Sequence, residues 1–304
     1  MKLIRPSSIR SRPAGRPAGL AGADPLLRLN ARSLAILGVA SLAGLIMLIW
    51  PLLVRAPQGA QIQPPFLFLL LLPLVLAVVL AEMSEGGMDA RVLALLGVLT
   101  AINAVLRGVS AGTGGVELVF FLLILAGRVF GPGFGFVLGC TSLMASALVT
   151  AGWGPWLPYQ MLVAAWVGMG AGLLPFRRPG RLSPRGELAL LVAYGVFAAY
   201  AFGLLMNLSG WPYVLGIQVP GVSSQLSFVP GDPLWENLQR FGVYTLVTST
   251  GSWDTGRAIT TAVALTVLGP AVLTTLRRAS RRVVITRSVP AKSGPDQQDP
   301  VVAG

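Results

Sequence analysis

Histidine is absent from this 304-residue sequence, cysteine occurs once, and only 11% of the residues are charged. A soluble globular chain carries about 25% charged residues, so this composition is typical of a chain that lies in lipid. The single Cys140 excludes an internal disulfide and a metal site built from several cysteines. The missing histidine excludes metalloproteases with an H-E-x-x-H motif and Ser-His proteases. The sequence also has no G-x-x-x-x-G-K-[ST] loop, which removes the usual signature of ATP binding.

Apolar residues make up 54% of the chain and form long blocks, and the mean hydropathy is +0.73. Several blocks reach the ~20 residues that a helix needs to cross a bilayer, and they lack the alternation of outer-membrane barrel strands. The sequence therefore predicts an all-α membrane protein with about eight transmembrane helices. The predicted spans are 33–54, 66–81, 91–106, 116–130, 133–151, 159–175, 187–208 and 258–276.

Only Gly131 and Pro132 separate the fourth and fifth predicted spans. Proline lacks a backbone donor and glycine tolerates unusual backbone angles, so this pair favours a tight reversal. A single kinked helix is the alternative, although about 36 apolar residues are too many for one crossing.

Positive charge predicts the orientation. With both termini in the cytoplasm, 19 of the 23 Lys and Arg residues fall in inner segments and four in outer ones. Inner loops of membrane proteins are enriched in Lys and Arg, so this split favours an even number of spans in the cell membrane. The net charge of +12 is then explained by orientation rather than by nucleic-acid binding.

Six of the seven tryptophans lie at or beyond the outer ends of the predicted spans. One interpretation is an aromatic belt at the outer interface, and the other is an aromatic-lined site open to the outside. The sequence leaves both open. The six are Trp50, Trp153, Trp156, Trp211, Trp235 and Trp253.

The chain divides into four predicted parts. Residues 1–32 form a basic cytoplasmic tail that we expect to be disordered, and 33–90 hold two N-terminal spans. Residues 91–276 form a six-helix core with a long outer loop at 209–257, in which 234–247 is expected to form an amphipathic helix. Residues 277–304 form a second basic cytoplasmic tail.

Small residues recur every three or four positions along several spans, which places them on one helix face. Such faces let another backbone approach closely. Packing within this chain is the first interpretation, and docking on another membrane protein is the second. The rows are Gly127, Gly131, Gly135 and Gly139; Ala164, Gly168 and Gly172; and Ala90, Ala94, Gly97 and Ala101.

Few ionisable residues lie near the outer ends of the spans. Arg107 and Glu117 flank one outer loop and are expected either to pair with each other or to bind polar groups of a ligand. Asn103 lies one turn below Arg107 on the same face, which favours the second interpretation. Asp254 and Arg257 are explained equally well as a capped helix start.

Several segments resemble the substrate-binding S components of energy-coupling factor (ECF) vitamin transporters. They are RVLALLGVLTAINAVLRG from Arg91, the stretches GRVFGPGFGF and GPWLPYQM, and WENLQRFGVYTLVTSTGSWDTGRAI from Trp235. The resemblance covers about 91–276, which is the six-helix size of that family. The two N-terminal spans would be an addition to it.

The resemblance implies a subunit that captures a vitamin or related micronutrient from outside. It would pass its cargo on by toppling in the membrane against a coupling transmembrane subunit, which two cytoplasmic ATPase subunits drive. The family's first core helix meets that subunit through small residues, to which Ala90, Ala94, Gly97 and Ala101 correspond in part. The substrate-binding residues predicted from the resemblance and from the polar pattern are Asn103, Arg107, Glu117, Trp153, Trp156, Gln160, Trp235, Asn237, Trp253 and Asp254.

A cobalamin-like corrinoid is the substrate that the tryptophan-rich loop suggests, because aromatic side chains supply large contact areas. A membrane scaffold that handles no small ligand is the competing function. A lipid-modifying enzyme is a third, and it is weaker because no span clusters Asp, Glu, His or Cys. We therefore predict no catalytic residues, no cofactor and no metal site.

Overall fold

The computed structural model describes residues 31–53, 75, 77, 90–110, 114–175, 182–214 and 226–287. These residues form helices and short connections and contain no strand, which confirms the predicted all-α fold. The helices are α1 (Ala31–Leu48), α2 (Trp50–Leu53), α3 (Ala90–Ser110), α4 (Val119–Phe130), α5 (Pro132–Thr150), α6 (Leu157–Leu173), α7 (Pro184–Val214), α8 (Leu234–Thr245), a π-helix (Leu246–Asp254), α9 (Thr255–Val267) and α10 (Gly269–Arg287).

Three of these helices are long and apolar enough to cross a membrane: α3, α5 and α7. The helical run Leu234–Val267 together with α10 would make a fourth crossing, bent by 66°. Shorter apolar helices lie at Leu34–Leu48, Val119–Phe130 and Leu157–Leu173. The predicted span 66–81 lies outside the described residues except for Val75 and Ala77, so the count of eight stays a prediction.

Side-chain contacts join the helix ends into two groups. Arg107, near the end of α3, bonds to Ser146 near the end of α5 and to Gln160 near the start of α6. Arg128, near the end of α4, bonds to Glu187 near the start of α7. Successive core helices therefore run in alternating directions. We call the end around Arg107 the tryptophan end and the end around Arg128 the basic end.

Gly131 reverses the chain between α4 and α5. Its φ of 107° lies in the region that side chains rarely adopt, and it leads directly into Pro132 at the first position of α5. A methyl group added at Gly127 or at Gly135 would overlap the same carbonyl oxygen, that of Gly168. A straight helix would hold these two residues about 12 Å apart. The predicted reversal is confirmed, and the kinked single helix is wrong.

Helix α4 lies at the centre of the bundle, and all 12 of its residues are buried. A helix with no lipid-facing residue does not need to match the bilayer thickness, which explains why α4 is short. Its neighbours α5 and α6 approach so closely that a methyl group at Gly139 would overlap the backbone of Ala165. The two glycine and alanine rows of α4–α6 thus serve packing within the chain.

The N-terminal helices lie against α6 and α7. Trp166 of α6 donates a hydrogen bond from Nε1 to Ser41 Oγ of α1, at 2.9 Å. Trp50 of α2 donates from Nε1 to the carbonyl oxygen of Ser209 on α7, at 3.0 Å. The predicted addition to the core therefore packs on one side of it.

Helix bounds after residue 208 differ from the predicted ones. α7 continues to Val214, and a helical run that begins at Leu234 is unbroken to Val267. The predicted last span, 258–276, is interrupted where Gly269 and Pro270 follow, because proline cannot donate to the helix ladder and its ring clashes with the preceding turn. α10 continues to Arg287, so residues 277–287 are helical. The four-part division of the chain stays a prediction.

Candidate functional site

Arg107 is the centre of a polar cluster at the tryptophan end. Its Nη1 donates to Ser146 Oγ at 3.1 Å, and its Nη2 donates to Gln160 Oε1 at 2.9 Å. A guanidinium has five N–H donors, and these two contacts use only part of them. Both partners are neutral, so the positive charge of Arg107 is not cancelled by the groups that hold it. This arrangement suits an anionic or acceptor-rich ligand group.

A row of polar contacts continues from Arg107 into the α3–α5 interface. Asn103 donates from Nδ2 to Ser142 Oγ at 3.0 Å, and the hydroxyls of Thr100 and Thr141 lie 2.9 Å apart. Asn103 is fully buried, and its Oδ1 lacks a hydrogen-bond partner. Side-chain hydrogen bonds between membrane helices are worth about 0.6 kcal/mol each. Asn103 thus fixes α3 against α5 directly beneath Arg107.

Glu117 pairs with a different arginine from the one predicted. Its Oε2 lies 2.5 Å from Nε of Arg257, at the start of α9. Arg107 stays near enough to Glu117 for the two charges to attract each other. The expected Arg107–Glu117 pair is therefore wrong, because Arg257 approaches Glu117 directly across the bundle.

Arg257 joins three parts of the chain in a buried charge network. Its Nη1 donates to Asp254 Oδ1 at 2.9 Å, and its guanidinium lies 4.9 Å from the centre of the Phe202 ring on α7. Asp254 is 1% exposed and accepts a second hydrogen bond from Ser249 Oγ at 2.9 Å. The structure offers no room between this network and α7, since a methyl group at Gly203 would overlap the Asp254 carboxylate.

The interpretation of Asp254 as a helix cap is wrong. It occupies the position before α9, but its side chain makes no capping hydrogen bond. Its carboxylate is used by Arg257 and Ser249 instead. The sequence signal that could have revealed the network was the pair of Asp254 and Arg257 at the start of an apolar stretch, since buried charges require partners.

The segment before α4 is held against the end of the π-helix. Gly115 has a φ of 80°, and a methyl group there would overlap the backbone of Trp253. Gly256 approaches the carbonyl oxygen of Gly114 equally closely. Glu117 and Trp253 therefore belong to one rigid patch at the tryptophan end.

The predicted tryptophans are exposed indoles. Trp153 and Trp156 lie in the α5–α6 connection, and the backbone N–H of Gln160 donates to the carbonyl oxygen of Trp156 at 3.0 Å. They are therefore close in the chain to both partners of Arg107. The exposed fractions are 50% for Trp153, 49% for Trp156, 69% for Trp235 and 40% for Trp253.

Asn237 makes hydrogen bonds to other residues of the chain. Its Oδ1 accepts from the backbone N–H of Val229, and its Nδ2 donates to the carbonyl oxygen of the same residue, both at 3.0 Å. Arg240 donates to the same Oδ1 at 3.1 Å. Asn237 is 3% exposed, so it ties the segment before α8 to that helix.

Trp211 is buried, unlike the exposed tryptophans with which the sequence analysis grouped it. It is buried between the rings of Phe228 and Phe241, each 5.4 Å away, and its Nε1 donates to the carbonyl oxygen of Leu226 at 2.8 Å. This cluster packs the end of α7 against α8. The position of Trp211 at the end of a span is shared by the exposed indoles, so no sequence signal distinguishes it.

The predicted docking residues of α3 are all exposed: Ala90, Ala94, Gly97 and Ala101. Within the part of the chain that the structure describes, a methyl group added at Gly97 would have no atom within 4 Å. Only 28% of the apolar stretch of α3 is buried, against 67% for α5. α3 thus presents a row of small residues at the surface of the bundle.

The family model described as "ECF transporter, substrate-specific component" matches residues 91–285, more than half of the chain. The match begins at the second residue of α3 and ends within α10, so it covers every contact of the Arg107 and Arg257 clusters. No curated protein and no solved structure matches the chain.

Proposed function

The chain belongs to the family of ECF transporter substrate-specific components, and we propose that it captures a vitamin or related micronutrient at the tryptophan end of its bundle. Members of this family are helical membrane proteins and subunits of transporters. The proposal for this chain adds the place of capture, the kind of cargo and the side of the membrane. The tryptophan end faces outward in this proposal, and both termini lie in the cytoplasm.

The observation that carries the proposal is that, among the described residues, Arg107 is hydrogen-bonded only by neutral side chains. Its guanidinium is held by Ser146 and Gln160, which leave its charge uncancelled and several N–H donors available. The connection between these two partners carries the exposed indoles of Trp153 and Trp156. A ligand with an acceptor-rich group and a broad apolar surface would use both features.

A corrinoid fits this description, because it combines a large ring with amide and phosphate acceptors. The exposed indoles Trp153, Trp156 and Trp253 support a large ligand over a small one, since each offers contact area at little cost in conformational entropy. Other vitamins with an anionic group remain within the proposed class.

Transport by this subunit requires energy from partners. We propose that the open small-residue face of α3, formed by Ala90, Ala94, Gly97 and Ala101, docks on the coupling transmembrane subunit, which two cytoplasmic ATPases drive. Close backbone approach at small residues is a main source of contact between membrane helices. The exposure of all four residues supports this part of the proposal.

The test starts with the purified full-length chain. Co-purifying small molecules are identified by mass spectrometry, and thermal shifts are measured with a panel of vitamins that includes a corrinoid. We expect one compound to raise the melting temperature. Arg107→Gln should weaken its binding about 10- to 100-fold, because a hydrogen bond to a charged group is worth about 1.5–3 kcal/mol.

Arg185→Gln is the matched control, since Arg185 is exposed at the start of α7, at the basic end. It should bind the compound as the wild type does. A chain that retains no small molecule and shifts with no vitamin would overturn the capture proposal in favour of the scaffold.

A further inference from the structure

α10 makes a steep angle with the helical run that precedes it. The axis turns by 66° at the break between Leu234–Val267 and Gly269–Arg282. The π-helix and α9 together are long enough to cross most of a ~30 Å hydrocarbon layer. With that segment near the membrane normal, α10 lies closer to the membrane plane than to the normal. A helix in this position runs through the headgroup region.

The two sides of α10 differ. Leu273, Leu276 and Ser280 are buried against the bundle, whereas Arg278 and Arg281 are exposed. These two arginines are three residues apart, which places them on one face of the helix. An amphipathic helix with an arginine face is typical of segments that lie on a membrane surface.

Arg277 fixes the rotation of this helix. Its Nη2 donates to both carboxylate oxygens of Glu187 on α7, at 2.7 Å each. Glu187 also accepts from Nε of the buried Arg128 at 3.0 Å. The contact holds α10 against the basic end, so the exposed arginine face keeps one direction.

The charge on α10 has one sign. The helix contains five arginines and no acidic residue. Glu187, the carboxylate that contacts it, already serves two arginines. A guanidinium matches the geometry of a phosphate with two parallel hydrogen bonds, which an ammonium cannot do. Among the residues that the structure describes, no carboxylate pairs with Arg278 or Arg281, so their charge is available to an anion of the adjacent surface.

We propose that the face of α10 that carries Arg278 and Arg281 binds the headgroups of anionic phospholipids in the leaflet at the basic end. Each basic residue near such a surface contributes roughly fivefold to binding. The contact would hold α10 in the interface plane while Arg277 holds it to the bundle. This inference does not depend on which substrate the tryptophan end takes.

The experiment uses native mass spectrometry of the full-length protein titrated with phosphatidylglycerol or with phosphatidylcholine. The wild type should retain phosphatidylglycerol in preference to phosphatidylcholine. The double variant Arg278→Gln with Arg281→Gln should lose about 25-fold of its apparent affinity for phosphatidylglycerol. Arg278→Lys with Arg281→Lys keeps both charges and should retain most of the preference.

A third arm adds inorganic phosphate, and a control variant, Arg240→Gln, removes an arginine at the tryptophan end. Neither should change lipid retention. Equal retention of the two lipids, or a Gln variant that behaves as the wild type, would overturn the proposal. Competition by millimolar phosphate would assign the face to a free anion. Loss of binding to partner ATPases with unchanged lipid retention would assign it to an acidic protein surface.

Discussion

Glycine and alanine line two helix faces of this molecule, and the surroundings of the two faces are opposite. Between α5 and α6 the small residues let two backbones touch, so that a methyl group at Gly168 would overlap the carbonyl oxygen of Gly135. On α3 a methyl group at Gly97 would meet no atom of the described residues within 4 Å. Membrane helices gain contact energy where small residues allow close approach. The face between α5 and α6 makes its close contacts inside the chain. The face on α3 is still open to a contact with another helix.

The two arginine clusters at the tryptophan end differ in the same way. Arg257 is matched by two carboxylates, those of Asp254 and Glu117. Arg107 has two neutral hydrogen-bond partners, and Glu117 attracts it from nearby without forming an ion pair with it. Groups whose interactions are completed within the chain stabilise the fold, and groups whose interactions are incomplete are the ones available to a ligand or partner.

The largest effect is expected from Gly168→Leu. A leucine side chain there would collide with the backbone at Gly135, which cannot move without separating α5 from α6. The cost should exceed the ~1–3 kcal/mol that is typical of overpacked cores. We expect almost no monodisperse protein in detergent, as measured by size-exclusion chromatography. A Gly168→Leu protein with wild-type yield and melting temperature would break the distinction between the two faces.

Arg257→Gln should have the next largest effect. It leaves the buried carboxylate of Asp254 without its cation, and breaking a buried ion pair costs about 3–5 kcal/mol. Thermal unfolding in detergent measures the loss. Arg107→Gln removes only two hydrogen bonds to neutral partners and should cost about 1–3 kcal/mol. If the two variants were equally stable, the clusters would not differ in kind.

Gly203→Ala should have a smaller effect on the same network. The added methyl group would press against the Asp254 carboxylate, a side chain that can shift, so we expect a loss of about 1–3 kcal/mol. The matched control is Gly242→Ala on α8, where a methyl group meets no atom within 4 Å. A lower melting temperature for Gly242→Ala than for Gly203→Ala would contradict the assigned packing.

The sequence predicts the helices and the reversal at Gly131 well, because apolar blocks and Gly-Pro pairs act locally. It does not predict which arginine Glu117 contacts, because Arg107 and Arg257 are both at span ends and only the packing of α9 against α4 decides between them. The sequence does not predict the helix break at Leu268 for a different reason. The apolar block continues through Gly269 and Pro270, so hydropathy extends the span across a residue pair that bends it.

The small-residue rows show the same limit most clearly. Gly168 and Gly97 have similar neighbours in the sequence, and spacing alone makes both rows candidates for packing and for docking. The difference arises from the position of α3 at the edge of the bundle, with 28% of its apolar stretch buried. Edge position is a property of the whole fold, and no local pattern encodes it.

The smallest effect on the fold, and the sharpest test of the comparison, is expected from Gly97→Leu. No residue that the structure describes occupies the space beside Gly97, so the melting temperature should change by an amount equivalent to less than about 0.5 kcal/mol. The leucine would nevertheless project from the row of small residues and keep a partner helix from approaching closely. Co-purification with the coupling subunit should then be lost while vitamin binding to the isolated chain is retained.

Gly97→Ala is the graded control for that variant, since one methyl group should weaken association less than a leucine does. Leu93→Ala, which removes an exposed side chain on the same helix, tests whether any change on α3 has the same result. Intact association of Gly97→Leu with the coupling subunit would mean that the open face is covered by lipid alone. The open face of α3 would then have no protein partner, unlike the ligand proposed for Arg107. The face between α5 and α6 would still pack these two helices together.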